Sequence, residues 1–246
     1  MTRTQKILVS GLALLALAFL FVVGIFLVGP FLQRSIFYPK PQTLPPVVAE
    51  TTPELLARLG SLLETNAPSV ARALQPGLSL DQIAALESEG GFRLTEDLRA
   101  LYRWHNGVAT NSSLGLLPGH HFPPLDEQVR ERARVRTQVA SSTVAQRAFY
   151  AMFTGHRTDW LELFPDGAGD GYFFDPHRSE AEGSFFYHLA EEGYYVWFPS
   201  FGNFLSGVIE GYETGVIKAS TDGSSFDQDH DRSEKIWQRL ATMSAE

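Results

Sequence analysis

The sequence predicts an α+β domain, a mostly antiparallel sheet of about four to six strands packed with helices, behind one N-terminal transmembrane helix. Three observations carry this reading. Residues 7–28 contain no charged side chain. Apolar residues then recur at helical spacing as far as residue 105, and four short aromatic-rich runs follow between residues 159 and 198. Finally, Phe201, Phe204, Leu205, Val208, Ile209 and Tyr212 return to the 3.6-residue period.

At about 1.5 Å of rise per residue, Ile7–Val28 spans roughly 33 Å as a helix, against a hydrocarbon core of about 30 Å. The stretch exceeds the usual apolar core of a cleaved signal peptide, and Gly29-Pro30-Phe31-Leu32 offers no small-residue cleavage site. Basic residues flank it almost evenly (Arg3 and Lys6 before, Arg34 and Lys40 after), so the charge bias sets orientation weakly. The short N-terminal tail favours placing the domain on the non-cytoplasmic side. The domain plan is an anchor over 1–29, a Pro-rich stalk over 30–51, a folded domain over 52–218, and an acidic loop with a C-terminal helix over 219–246. The stalk carries Pro30, Pro39, Pro41, Pro45 and Pro46, a composition that favours extended polyproline II.

In the folded domain, Thr52-Pro53 opens a helix with Leu55, Leu56, Leu59, Leu62 and Leu63 on one stripe. Ser79 and Gln82 form a capping box for a second helix that buries Ile83 and Leu86 and stops at Gly90-Gly91. Thr95 caps a third, with Leu98, Leu101, Tyr102 and His105 on one face and Asn106-Gly107 as its stop. Leu114–Leu117 reads as a short strand. Leu125 to about Tyr150 reads as a polar, solvated helix carrying Arg130, Arg132, Arg134, Arg136 and Arg147. Asp159–Phe164, Gly171–Asp175, Ser184–Leu189 and Tyr194–Phe198 read as strands of one sheet, with about half of their aromatics facing outward. Gly215 closes the helix that follows. Ala219–Asp231 reads as a polar loop, and Ser233 as the cap of a last helix burying Ile236, Trp237 and Leu240.

The net charge is −8. All four basic residues of the first forty lie outside the folded domain and no acid does, so residues 41–246 hold 16 basic and 28 acidic groups, a net −12. That balance disfavours nucleic acid, whose phosphates require Lys and Arg, and favours a basic protein partner. The chain has no cysteine, which excludes disulfides, thiolate zinc sites and a cysteine nucleophile. It also lacks a Gly-x-Ser-x-Gly elbow and a His-Glu-x-x-His zinc motif. Counting from Asp227 puts Arg232 and Gln238 where an EF-hand requires Gly and Glu. Asp166 and Asp170 would repel a phosphate from the Gly167–Gly171 turn. Asp170 is expected to bond to the amides of that turn.

Four pieces of the chain resemble the SMI1/KNR4 family of the SUKH superfamily. They are Gly91-Phe92-Arg93-Leu94-Thr95-Glu96-Asp97-Leu98 with Trp104-His105-Asn106-Gly107; Leu116-Leu117-Pro118 with Pro124-Leu125-Asp126-Glu127; Trp160 through Gly167-Ala168-Gly169-Asp170-Gly171-Tyr172-Phe173-Phe174-Asp175; and Ser200-Phe201-Gly202-Asn203-Phe204-Leu205. Thr95 stands where the family usually has proline. The resemblance implies a non-catalytic, protein-binding domain without cofactor or metal. It marks Trp104, Asn106, Gly107, Trp160, Gly169, Asp170, Asp175, Ser200, Phe201 and Leu205 as motif positions, structural or partner-binding. Bacterial members commonly neutralise a cognate toxin, and fungal relatives are linked to cell-wall assembly. The combined expectation is a single-pass protein that meets the lipid bilayer through Ile7–Val28 and binds a protein, a basic toxin being the leading candidate. An envelope scaffold or regulator is the alternative, and a metal-dependent hydrolase is less favoured.

Overall fold

The computed structural model describes residues 48–108, 115–143, 146, 159–179, 183–189, 193–220 and 225–240. The expected anchor over 1–29, the stalk as far as residue 47, and Arg147 lie outside the described residues. Among the described residues no helix is long and apolar enough to cross a membrane.

Helix α1 (Thr52–Asn66) begins where the Thr51 backbone N–H donates to Glu54 Oε2 at 2.8 Å, with Pro53 in the first turn. Its Leu55, Leu56, Leu59 and Leu63 are buried. A short helix α2 (Pro68–Ala73) leads into strand β1 (Leu74–Pro76), neither of which the sequence announces. Helix α3 (Leu80–Gly90) carries the Ser79–Gln82 capping box and is capped at its end by Gly91. Helix α4 (Glu96–Trp104) starts at Thr95, whose Oγ1 accepts the Leu98 N–H at 3.3 Å.

The chain then departs from the helical reading. His105 does not extend α4; it opens strand β2 (His105–Val108), which pairs antiparallel with β1, Pro76 opposite His105 and Leu74 opposite Val108. The Tyr102 carbonyl accepts Leu78 N–H at 2.9 Å. Of the expected strand at 114–117, Leu114 lies outside the described residues, and 115–117 contribute a single bridge between Leu117 and His120.

Helix α5 (Leu125–Ser141) ends well before Tyr150. It is not uniformly solvated. The Arg132 side chain is only 2% exposed; its Nη1 donates to the Gly90 carbonyl at 2.6 Å and its guanidinium lies 5.1 Å from the Phe92 ring centre. Burial, with Arg136 nearby, pushes its pKa below the usual arginine value. Arg136 reaches Asp159 at 2.7 Å.

Strands β3 (Leu161–Pro165), β4 (Gly171–Phe174), β5 (Phe185–Leu189) and β6 (Gly193–Tyr195) form the expected antiparallel meander in chain order. Helix α6 (Phe201–Glu213) is buried on nearly all sides, including Gly202, Asn203, Gly207 and Gly211, and packs against α1. The segment expected to be a polar loop contains a hairpin, with β7 (Ile217–Ala219) paired to β8 (Phe226–Gln228). Helix α7 (His230–Leu240) starts before Ser233, which is therefore not its cap; Ser233 is buried and its Oγ accepts from Gln228 Nε2 at 2.6 Å. The Trp237 indole crosses α6 at Gly207, where a Cβ would meet its ring at 2.1 Å.

An ion pair between buried Glu87 and part-buried Arg99 ties α3 to α4. Glu87 Oε1 accepts the Leu94 N–H at 2.8 Å and Arg99 Nε at 2.9 Å, while Oε2 accepts Arg99 Nη2 at 2.7 Å. Arg99 is part-exposed and is also held by Glu96 at 2.9 Å, so removing one member of this bidentate pair costs about 1–3 kcal/mol. Glu87→Ala and Arg99→Ala are each expected to lower unfolding free energy by about that amount in urea titrations, and the double variant by much less than the sum. Additive effects would show that the pair is not coupled.

Candidate interaction surface

Most of the motif positions build the frame. Asn106 Oδ1 accepts the Leu125 N–H at 2.9 Å and so satisfies the first turn of α5, which Pro124 cannot cap with a side chain. Gly107 has φ +75, and a Cβ there would meet Pro124 N at 2.5 Å, so only glycine suits both the conformation and the approach. Trp104 is half-buried and its indole lies over Gly60 of α1. Asp175 is buried, and its Oδ1 accepts the His177 N–H at 2.9 Å. Ser200 Oγ accepts the Asn203 N–H at 3.1 Å, capping α6, and Phe201 and Leu205 fill the core. A narrow cleft runs between the starts of α4 and α6, lined by Thr95, Asp97, Ser184, Phe198 and Ser200 among others.

The sheet buries both faces. Tyr172, Phe174 and Phe185 face the main core, whereas Trp160, Phe173 and Phe186 form a second cluster on the opposite side. The Trp160 ring centre lies 4.6 Å from that of Phe186 and 6.0 Å from that of Phe173. The aromatics expected to turn outward are thus mostly covered.

Exposure returns at one corner. Tyr187 on β5 and Trp197 beyond β6 are half-buried and stack with ring centres 4.0 Å apart and planes 8° apart. The β3–β4 turn lies beside them, because Gly171 pairs with His188 and Tyr172 with Tyr187. Asp166 organises this turn: its Oδ1 accepts the N–H groups of Ala168, Gly169 and Asp170 at 2.8, 3.1 and 3.0 Å. Gly169 is exposed, and its carbonyl lies 3.2 Å from His188 Nδ1. Burial and the carboxylates of Asp170 and Asp166 push the Tyr187 hydroxyl up to about 12.

His120 completes the corner, its ring 5.4 Å from Tyr172 and 6.1 Å from Tyr187. Its Nδ1 lies 2.9 Å from the Pro118 carbonyl, which can only accept, so the proton of the neutral ring sits on Nδ1. Nε2 is then a buried acceptor with no partner among the described residues. Burial holds the His120 pKa below its ordinary value, opposed by the Pro118 carbonyl and by Asp166 and Asp170. No group of three metal-ligating side chains occurs among the described residues.

An α+β domain with a four-stranded antiparallel meander, built around an almost wholly buried helix and opening an aromatic corner beside a carboxylate-bearing turn, is the class this architecture defines. The chain belongs to the SMI1/KNR4 family (SUKH-1), whose model matches residues 77–207, more than half of the chain. No curated protein matches it.

Because the folded state binds a proton at His120 more weakly than the unfolded chain, its neutral ring contributes stability above pH 6.5 that is lost as pH falls through the folded pKa. Wild type is therefore expected to lose more stability than His120→Asn between pH 7.5 and pH 5 in urea titrations. Parallel stability profiles would refute this role.

Proposed function

We propose that this chain is a membrane-tethered, non-catalytic protein-binding module that neutralises a cognate toxin by stoichiometric association, in the manner of SUKH immunity proteins. Family membership over residues 77–207 is the observation that carries the reading. The net −12 of residues 41–246 adds a preference for a basic partner. The recognition domain is 52–218, and the run Ile7–Val28 with its proline-rich stalk would hold it beside a bilayer.

That same uncharged run supports a second reading, in which the chain is a cell-envelope scaffold or regulator and the tether matters more than any toxin. The two separate on deletion of residues 1–40, since immunity to a cytosolic toxin would survive the deletion and a scaffold role would not.

The full-length chain is expected to protect cells expressing a toxin encoded beside its gene and to co-purify with that toxin at 1:1 in low salt. Failure of any adjacent-gene product to bind, with growth unchanged by the chain, would overturn the immunity reading.

A further inference from the structure

We propose that the corner formed by the Tyr187–Trp197 stack and the Asp166–Asp170 turn is a docking surface for an arginine side chain of the protein partner. The proposal rests on the protein-binding reading above and gives that partner a chemistry.

The geometry assigns the two parts of such a site. The large strand aromatics facing the main core from β4 and from the start of β5, Tyr172, Phe174 and Phe185, are buried, whereas Tyr187 stays half-exposed with Trp197 stacked on it. The pair is braced from within, because the Tyr172 ring meets Tyr187 edge-on at 4.8 Å and Trp197 at 6.3 Å. A stack held in this way offers a rigid π-rich surface without an ordering cost on binding. Beside it, the Asp166 N–H donates to the Asp170 carbonyl at 3.0 Å, which closes the turn with the two residues opposite each other. Both carboxylates act on the same Tyr187 hydroxyl. Asp166 forms no ion pair with a described residue.

Charge complementarity selects a cation, and the form of the site selects arginine over lysine. A guanidinium is planar, stacks on aromatic rings and forks onto carboxylate oxygens, whereas an ammonium is a compact and more strongly hydrated charge. The glycines of the turn, Gly167 and Gly169, are exposed and leave room for a side chain to approach.

The test uses the full-length chain, with the indole N–H resonance of Trp197 as the local readout. Hexa-arginine is the probe, with hexa-lysine and hexa-citrulline as comparisons. Asp166→Asn keeps a side-chain oxygen for the three turn amides, so the Asp166→Asn/Asp170→Asn pair removes charge without removing the turn. Asp81→Asn/Glu89→Gln on α3 removes the same charge from exposed positions elsewhere. Hexa-arginine is expected to shift the Trp197 signal saturably, roughly tenfold more weakly in the Asp166→Asn/Asp170→Asn chain and within about twofold of wild type in the control. Hexa-lysine is expected to bind several-fold more weakly, and hexa-citrulline not at all. Equal weakening by the control pair, equal binding of lysine, or a Trp197 signal that does not move would each overturn the proposal. If an adjacent-gene toxin still binds fully to a Trp197→Leu/Asp166→Asn chain, the surface is wrong and the function stands. If hexa-arginine binds at Trp197 yet no such toxin exists, the surface stands and the immunity reading fails.

Discussion

Phe204 is the point at which the separately folded pieces meet. Its ring centre lies 4.7 Å from that of Tyr172, 5.1 Å from Phe185 and 5.3 Å from Phe164, so it touches three strands of the meander. It also stacks on Trp237 of the C-terminal helix at 6.4 Å. Each such pair contributes about 0.5–1.5 kcal/mol beyond the area it buries. The α6 backbone can come this close to its neighbours because glycines stand at its crossings, Gly207 under Trp237 and Gly211 under Ile217. A helix buried on nearly every side has no polar face to spare. The one polar side chain at its start, Asn203, is fully buried and satisfied by Ser200 and by the Val48 N–H at 3.3 Å.

This explains which parts of the fold were legible from the chain alone. Helix α6 and the four aromatic strands carry strong local periods, and those periods match the burial. The β1–β2 pair carries none: Leu74–Pro76 is three residues long, includes a proline, and is defined only by its long-range partner. His105 continues the helical spacing of Leu98, Leu101 and Tyr102, so periodicity placed it on the helix. What ends the helix is tertiary, with His105 Nδ1 lying 2.7 Å from the Gln75 carbonyl on the adjacent strand. The role of Asp166 was similarly hidden, since Asp166 and Asp170 bracket the same glycines and only the fold shows Asp166 Oδ1 taking the three turn amides. The second aromatic cluster was missed because alternation reports two faces without saying whether the second is covered.

The buried charges show how the helical half is held to the sheet half. Glu87 faces Arg99 across the α3–α4 turn, and Arg132 of α5 reaches back to the Gly90 carbonyl at the end of α3. Gln128 of the same helix continues the link, its Oε1 accepting the Glu162 N–H of β3 at 3.0 Å. A chain of polar contacts therefore runs from α4 through α3 and α5 to the edge of the sheet. Such contacts add little net stability over well-packed apolar residues, yet breaking any one of them is costly. Their effect is to define one arrangement of α5 on the sheet, which a helix of alternating arginines with a weak apolar stripe could not define by packing.

The same logic bears on the aromatic corner. An arginine gains little from a carboxylate that must first be ordered, because the entropy of fixing the acid offsets the attraction. Here the cost has been met in folding. Asp166 is fixed by three backbone amides, the turn is closed by the Asp166–Asp170 backbone hydrogen bond, and Tyr187 is braced by Tyr172 from the core side. His120 packs against Tyr172 and Tyr187, and burial holds its pKa below the ordinary value. The backbone amides of Gly169 and Asp170 thereby help to fix Asp166 in a turn beside a half-buried stack. Recognition at this corner would follow from the frame, with no loop needing to move to create it.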